Sequence, residues 1–150
     1  MLFFFIKNAI NGNIMRNRII GFTCSSFDLL HAGHILMLKD AKEQCDYLIV
    51  GLHKDPTIDR PNIKNRPVQS LEERKIQLEA VKYIYKIVIY NTESDLYELL
   101  EKIKPNIRIL GSDYIDKKFT GDDLNIKIYY HERNHLFSSS NLNKKIISNI

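Results

Sequence analysis

The sequence predicts an α/β fold, a five-stranded parallel sheet with helices on both faces. Three observations carry this. Short apolar runs of buried-strand character, such as Ile19 to Cys24 and Tyr47 to Leu52, recur along the chain. Segments between them place apolar residues at helical spacing. Strands separated by helices of ten or so residues are joined by right-handed crossovers, which make the sheet parallel and cover its two faces.

Ile19 to Cys24 leads through Ser26-Phe27-Asp28-Leu29-Leu30-His31-Ala32-Gly33-His34 into a helix over Gly33 to Gln44, where Ile35, Leu38, Ala41 and Cys45 share one face. Tyr47 to Leu52, apolar except for its glycine, is the second strand. The polar loop from His53 to Gln69 carries Lys54, Arg60, Lys64 and Arg66, and loops this long in compact domains are commonly functional. Ser70-Leu71-Glu72-Glu73 has the pattern of a capping box, starting a helix from Leu71 to about Tyr83. Ile87 to Tyr90 is the third strand. Thr92 or Ser94 caps the next helix, which ends at Ile103 before Pro105. Ile107 to Leu110 forms a fourth strand, ending in Gly111-Ser112-Asp113, and Ile126 to Tyr130 a fifth. Ser138 to Ser140 then open a last helix with Leu142, Ile146 and Ile147 inward. Residues 1–16 show no period and read as an N-terminal extension; residues 17–150 form the one domain.

The 150 residues suffice for a buried core, and 44% hydrophobic with 27% charged residues is the balance of a soluble globular protein. A net charge of +4 favours anionic partners. Basic residues fall in short groups, Lys64 to Arg66, Lys117-Lys118 and Lys144-Lys145, which suits a compact phosphate ligand better than a nucleic-acid duplex. Two cysteines without a CxxC exclude a disulfide scaffold and a zinc finger, and make a reducing cytoplasm the expected compartment. The apolar start, Met1 to Ile6, is too short for a membrane span or a signal-peptide core.

His31 and His34 stand where a strand turns into a helix. Two imidazoles there join the unpaired N–H groups and partial positive charge of a helix start, a combination that attracts phosphate. Zinc would need a third ligand at suitable spacing, and none is evident, so no metal site is assigned. Ser138, Ser139 and Ser140, at the start of the last helix, form a second anion site with Arg133 as a forked cation.

Phe-Asp-Leu-Leu-His-Ala-Gly-His resembles the HxGH signature of the nucleotidyltransferase superfamily, most closely its cytidylyltransferases of the glycerol-3-phosphate type. Arg133 followed by Ser138-Ser139-Ser140 resembles that family's carboxyl-terminal signature, with Asn134 and Leu136 where threonine and glycine are usual. Gly111-Ser112-Asp113-Tyr114 resembles its nucleoside-contacting segment. Ser25-Ser26 stands where Gly-Thr is usual. The resemblance covers residues from about 17 to 147.

It implies a Rossmann-like nucleotidyltransferase fold with His31, His34 and Arg133 as catalytic residues. Nucleotide binding would fall to Ser26, Phe27, Gly33, Gly111, Asp113, Ser138, Ser139 and Ser140, and the acceptor phosphate to Lys64, Arg66 and Arg74. The implied reaction is direct attack of a phosphorylated alcohol, glycerol 3-phosphate first, on the α-phosphorus of CTP. Products are a CDP-alcohol and pyrophosphate, with Mg²⁺ held through the nucleotide phosphates in a homodimer. An adenylyltransferase using ATP on a pantetheine, heptose or flavin phosphate is the alternative within this chemistry. A nucleotide-binding module without catalysis and a nucleic-acid-binding protein are alternatives of other classes, and the main reading assigns neither nucleic acid nor membrane as a partner.

Overall fold

The computed structural model describes residues 17–150. Five strands, β1 (Ile20–Ser25), β2 (Tyr47–His53), β3 (Lys86–Tyr90), β4 (Ile107–Gly111) and β5 (Lys127–His131), form one parallel sheet in the order β3-β2-β1-β4-β5. Four helices connect or follow them: α1 (Ala32–Glu43), α2 (Leu71–Glu79), α3 (Glu93–Ile103) and α4 (Ser139–Ser148). The strand order reverses between β1 and β4, and ligands of open α/β sheets bind beyond the carboxyl ends of the strands at such a point.

Each sheet face has its own core. Leu48, Val50, Leu52, Ile107 and Ile109 pack beneath Leu38 and Ala41 of α1 and Leu78 of α2. On the other face Phe22, Ile49 and Tyr90 meet Leu96, Leu100 and Ile103, spaced four and three residues apart along α3. Parallel strands buried on both faces explain the unbroken apolar runs. Thr92, rather than Ser94, caps α3: its hydroxyl accepts from the Asp95 N–H while the Asp95 carboxylate takes the Thr92 N–H.

Two expectations change. Helix α2 stops at Glu79, because the chain from Val81 to Ile84 turns tightly so that the Tyr85 N–H reaches the Leu48 carbonyl and feeds β3. Ile146 and Ile147 of α4 are exposed rather than inward, 51% and 71%, since α4 follows an edge strand and no described element covers that side. The proposed extension, residues 1–16, lies outside the described residues.

Arg74 also departs from its expected role. It is 2% exposed, and its guanidinium donates to the carbonyls of Ser26, His53, Lys54, Gln69 and Ser70. It therefore ties the β1–α1 turn, the end of β2 and the start of α2 together, with Nε and both terminal nitrogens engaged by backbone carbonyls. Arg74→Met should lower the free energy of urea unfolding by about 3 kcal/mol, from buried carbonyls left without a donor. An unchanged midpoint would contradict the clamp.

Candidate active site

A cleft of ≈ 860 Å³ opens across the carboxyl ends of the strands. Its wall on the α1 side begins with the turn after β1, where Phe27 and Leu29 have positive φ, 47° and 50°. Side chains rarely adopt this left-handed region, at about 1–3 kcal/mol each, so neighbours must hold the turn. Asp28 accepts from the N–H groups of Val68 and Gln69, and the Gln69 side chain accepts from Leu29 N–H. Phe27, which the resemblance places among the nucleotide-binding residues, has its ring fully buried in the core, 5.4 Å from the His34 ring.

His31 is the N-cap of α1. Its Nδ1 accepts from Gly33 N–H at 3.0 Å, and His34 Nδ1 accepts from His31 N–H at 3.3 Å. The two rings stack at 3.9 Å. Burial pushes both pKa values down, with His31 and Arg133 adding to the effect on His34, which falls to about 4, and Arg133 and His135 adding to that on His31. Neutral rings whose Nδ1 accepts must carry their proton on Nε2. Both histidines are thus fixed as N–H donors at a helix start, without bearing charge near neutral pH.

His135 repeats the arrangement. Its Nδ1 accepts from Phe137 N–H at 3.2 Å, and its Nε2 has no partner among the described residues. The loop carrying it sits on the start of α1, so that a Cβ on Gly33 would lie 2.7 Å from the Phe137 carbonyl oxygen. Gly33 is required for this close approach. His131, at the end of β5, is held by Asp40 of α1 at 2.6 Å, and Tyr129 donates to the same carboxylate.

Ser26, His31, Gly33, His34, Gly111, Asp113, Arg133 and Ser138 to Ser140 all line the cleft. The three serines differ: the Ser138 hydroxyl caps α4 by accepting from Asn141 N–H, Ser139 donates to the Asp28 carbonyl, and Ser140 is exposed. A Cβ at Gly111 would collide with the Asp113 carboxylate at 2.4 Å, so Gly111 makes room for that side chain. Of the loop cations Lys64 lines the cleft. Arg66 does not; its side chain is 85% exposed, with Asp55 4.0 Å away.

The opposite wall is built from residues outside the sequence-predicted site. His53, Arg60, Tyr90, Glu93, Arg108, Phe119 and Thr120 line it. Glu93 holds Arg60 at 2.8 Å and accepts from the Thr120 hydroxyl. The signal available was Arg108, a charged residue inside the apolar run Ile107-Arg108-Ile109-Leu110.

The sequence profile of the family described as Cytidylyltransferase-like matches residues 22–147. Among curated proteins, bifunctional protein HldE of Wolinella succinogenes is 39% identical over 109 residues, 73% of this chain and 23% of its own length. HldE of Campylobacter jejuni is 39% identical over 127 residues, 85% and 27% respectively. The chain spans about a quarter of the length of these relatives. Among solved structures, a lipopolysaccharide core biosynthesis protein from Thermoplasma volcanium superposes with a TM-score of 0.61 at 28% identity, covering 77% of this chain and 96% of that one. A pantoate-beta-alanine ligase from Francisella tularensis, TM-score 0.59 at 23% identity, covering 91% and 69%, shares the fold.

Two outcomes test the site. Unfolded histidine titrates near 6.5 and folded His34 near 4, so the stability tied to neutral His34 is present above pH 6.5 and lost as pH falls toward 4. His34→Gln should flatten the pH dependence of Tm across that window; a slope equal to the parent's would contradict the assignment. Gly33→Ala should displace the Phe137 carbonyl, lowering Tm and raising the KM for nucleotide, read by a thermal melt and steady-state kinetics.

Proposed function

The chain belongs to the cytidylyltransferase-like family, and from that premise we propose that it transfers an adenylyl group from ATP to a phosphorylated sugar, releasing pyrophosphate. The observation that carries the transfer chemistry is the stacked His31–His34 pair, two neutral imidazoles fixed as Nε2–H donors at the start of α1. The likeness to HldE turns the choice of nucleotide and acceptor toward adenylyl transfer to a heptose-type phosphate. Cytidylyl transfer to glycerol 3-phosphate, the first expectation from the sequence, gives way on the same ground.

In this reading an oxygen of the acceptor phosphate attacks the α-phosphorus in line, forming a new P–O bond as the bond to the β-phosphate oxygen breaks. Both electrons of that bond leave with pyrophosphate. Protein chemistry is then positioning and charge stabilisation, with the imidazole N–H groups meeting charge on the equatorial oxygens. Arg133, Ser140 and the α4 start would hold the outer phosphates.

Magnesium is proposed to arrive on the nucleotide. The phosphate side of the cleft presents imidazoles, hydroxyls and Arg133. The cluster whose ligand atoms lie within 4.8 Å, His53, Asp59 and Glu93, is already bonded: His53 to the Asn91 carbonyl, Asp59 to Glu93 N–H, and Glu93 to Arg60 and Thr120. These residues do not fit a resident cation.

The test is pyrophosphate release with ATP or CTP against heptose 1-phosphate, glucose 1-phosphate and glycerol 3-phosphate. ATP with a sugar phosphate should turn over, and His34→Ala should lower kcat by a hundredfold to a thousandfold, about 3–4 kcal/mol. Turnover with CTP alone would reverse the choice of nucleotide. His34→Ala at the parent rate would overturn the imidazole mechanism.

A further inference from the structure

Two arginines are buried to the same degree, Arg74 at 2% and Arg108 at 3% exposure, yet their partners differ. Arg74 donates to five backbone carbonyls, and it stands outside the cleft lining. Arg108 lines the cleft. It donates to the Thr120 carbonyl and makes a weak 4.0 Å contact with Cys24 Sγ, while the Phe119 ring lies 5.2 Å away. Among the described residues its Nε has no partner and no carboxylate pairs with it. The carboxylate on the same wall, Glu93, is engaged by Arg60 and Thr120.

A guanidinium has five N–H donors, and a buried charge without a counter-ion is strongly unfavourable. Unsatisfied buried groups in a binding cleft have a ready explanation in a ligand that satisfies them. The location narrows the ligand. Arg108 is paired in register with Phe22, three residues short of the end of β1, and Phe22 packs in the core under α3. The Arg108 backbone therefore lies about 10 Å below the carboxyl edge of the sheet. The His31–His34 pair belongs to α1, which packs on the opposite face.

We propose that Arg108 is the anchor of an oxyanion subsite on the α3 side of the cleft, recognising a second negatively charged group of the acceptor, carboxylate or phosphate, beyond the phosphate that attacks. This rests on the transfer reaction proposed above for the name "acceptor", whereas the subsite itself is read by binding alone. The acceptor class becomes an acidic sugar phosphate or a sugar bisphosphate. The Phe119 ring lies 5.2 Å from the guanidinium and the Thr120 carbonyl accepts from it, and a guanidinium buried to 3% exposure recognises charge more strongly than one in water.

The experiment measures equilibrium binding of glucose 1-phosphate, glucuronate 1-phosphate and glucose 1,6-bisphosphate to the nucleotide-free protein by calorimetry, alongside thermal melts, for the parent chain, Arg108→Met and Arg108→Lys. The parent should bind one of the doubly charged compounds about a hundredfold more tightly than glucose 1-phosphate, and Arg108→Met should abolish the difference without lowering Tm. Arg108→Lys should keep part of it. A carboxylate preference and a bisphosphate preference separate the two sources of the anion. Equal binding of all three compounds to the parent would overturn the proposal, as would undiminished selectivity in folded Arg108→Met. If Arg108→Met does not fold, the parent's selectivity and its weakening in Arg108→Lys decide. A clamp that merely holds Thr120 would lower Tm and weaken the three compounds equally, which also overturns it. Absence of turnover with every nucleotide would remove the transfer reading and leave this binding result intact.

Discussion

The Arg74 guanidinium is the constraint on which the site depends. Three segments far apart in the chain, the turn after β1, the end of β2 and the start of α2, converge on it through their carbonyl oxygens. Without this cation the carbonyls would face one another across a dry interior, where unpaired polar groups are costly. Asp28 and Gln69 complete the junction from the other side by holding the amides of Leu29, Val68 and Gln69. Together these bonds keep Phe27 and Leu29 in the left-handed region. That strained turn sets the direction in which α1 leaves the sheet, and so where His31 and His34 stand.

Above this base the cleft follows one electrical rule. The Nδ1 atoms of His31, His34 and His135 accept backbone N–H groups, leaving the outer nitrogens as donors. Burial keeps His31 and His34 from charging, so the pocket can gather donors and Arg133 at close quarters without the repulsion that a set of imidazolium ions would bring. Such a site is complementary to spread negative charge, which increases on the oxygens around phosphorus as a leaving group departs. On the opposite wall Glu93 engages Arg60 and Thr120, while Arg108 donates to the Thr120 carbonyl and has no carboxylate partner among the described residues. Neutral imidazole donors with Arg133 on one side and the buried Arg108 on the other divide the cleft into two halves of different chemistry.

Much of this was legible beforehand because it is local. The capping boxes at Ser70 and Thr92, the apolar strands and the helix spacing of Leu96, Leu100 and Ile103 depend on residues within a few positions of each other. His31, Gly33 and His34 share one turn, so their meeting at a helix start follows from the spacing itself. The HxGH segment, the Gly-Ser-Asp turn and the Arg133 to Ser140 stretch were each readable as carboxyl-edge features. Arg74 looked like a phosphate ligand because its helix position is clear from sequence, whereas its carbonyl partners, contributed by distant segments, are not. The burial of Phe27 in the core and the exposure of Arg66 to solvent depend on long-range packing in the same way.

What the sequence determined by itself is the parallel α/β sheet, its order of elements and the imidazole pair at the first helix start. These rest on periodicity, capping and turn chemistry, interactions that act over short stretches of chain. Only the tertiary structure decided that one buried arginine is a structural clamp and that the other lines the cleft with no carboxylate partner among the described residues. The two look alike in sequence, since a guanidinium's role is set by which acceptors surround it. At Arg74 they come from Ser26, His53 and Lys54, as many as 48 positions away, and at Arg108 Cys24 is 84 positions away. Long-range convergence of this kind has no counterpart in local pattern, because it is fixed only when the sheet brings its strand ends to one edge.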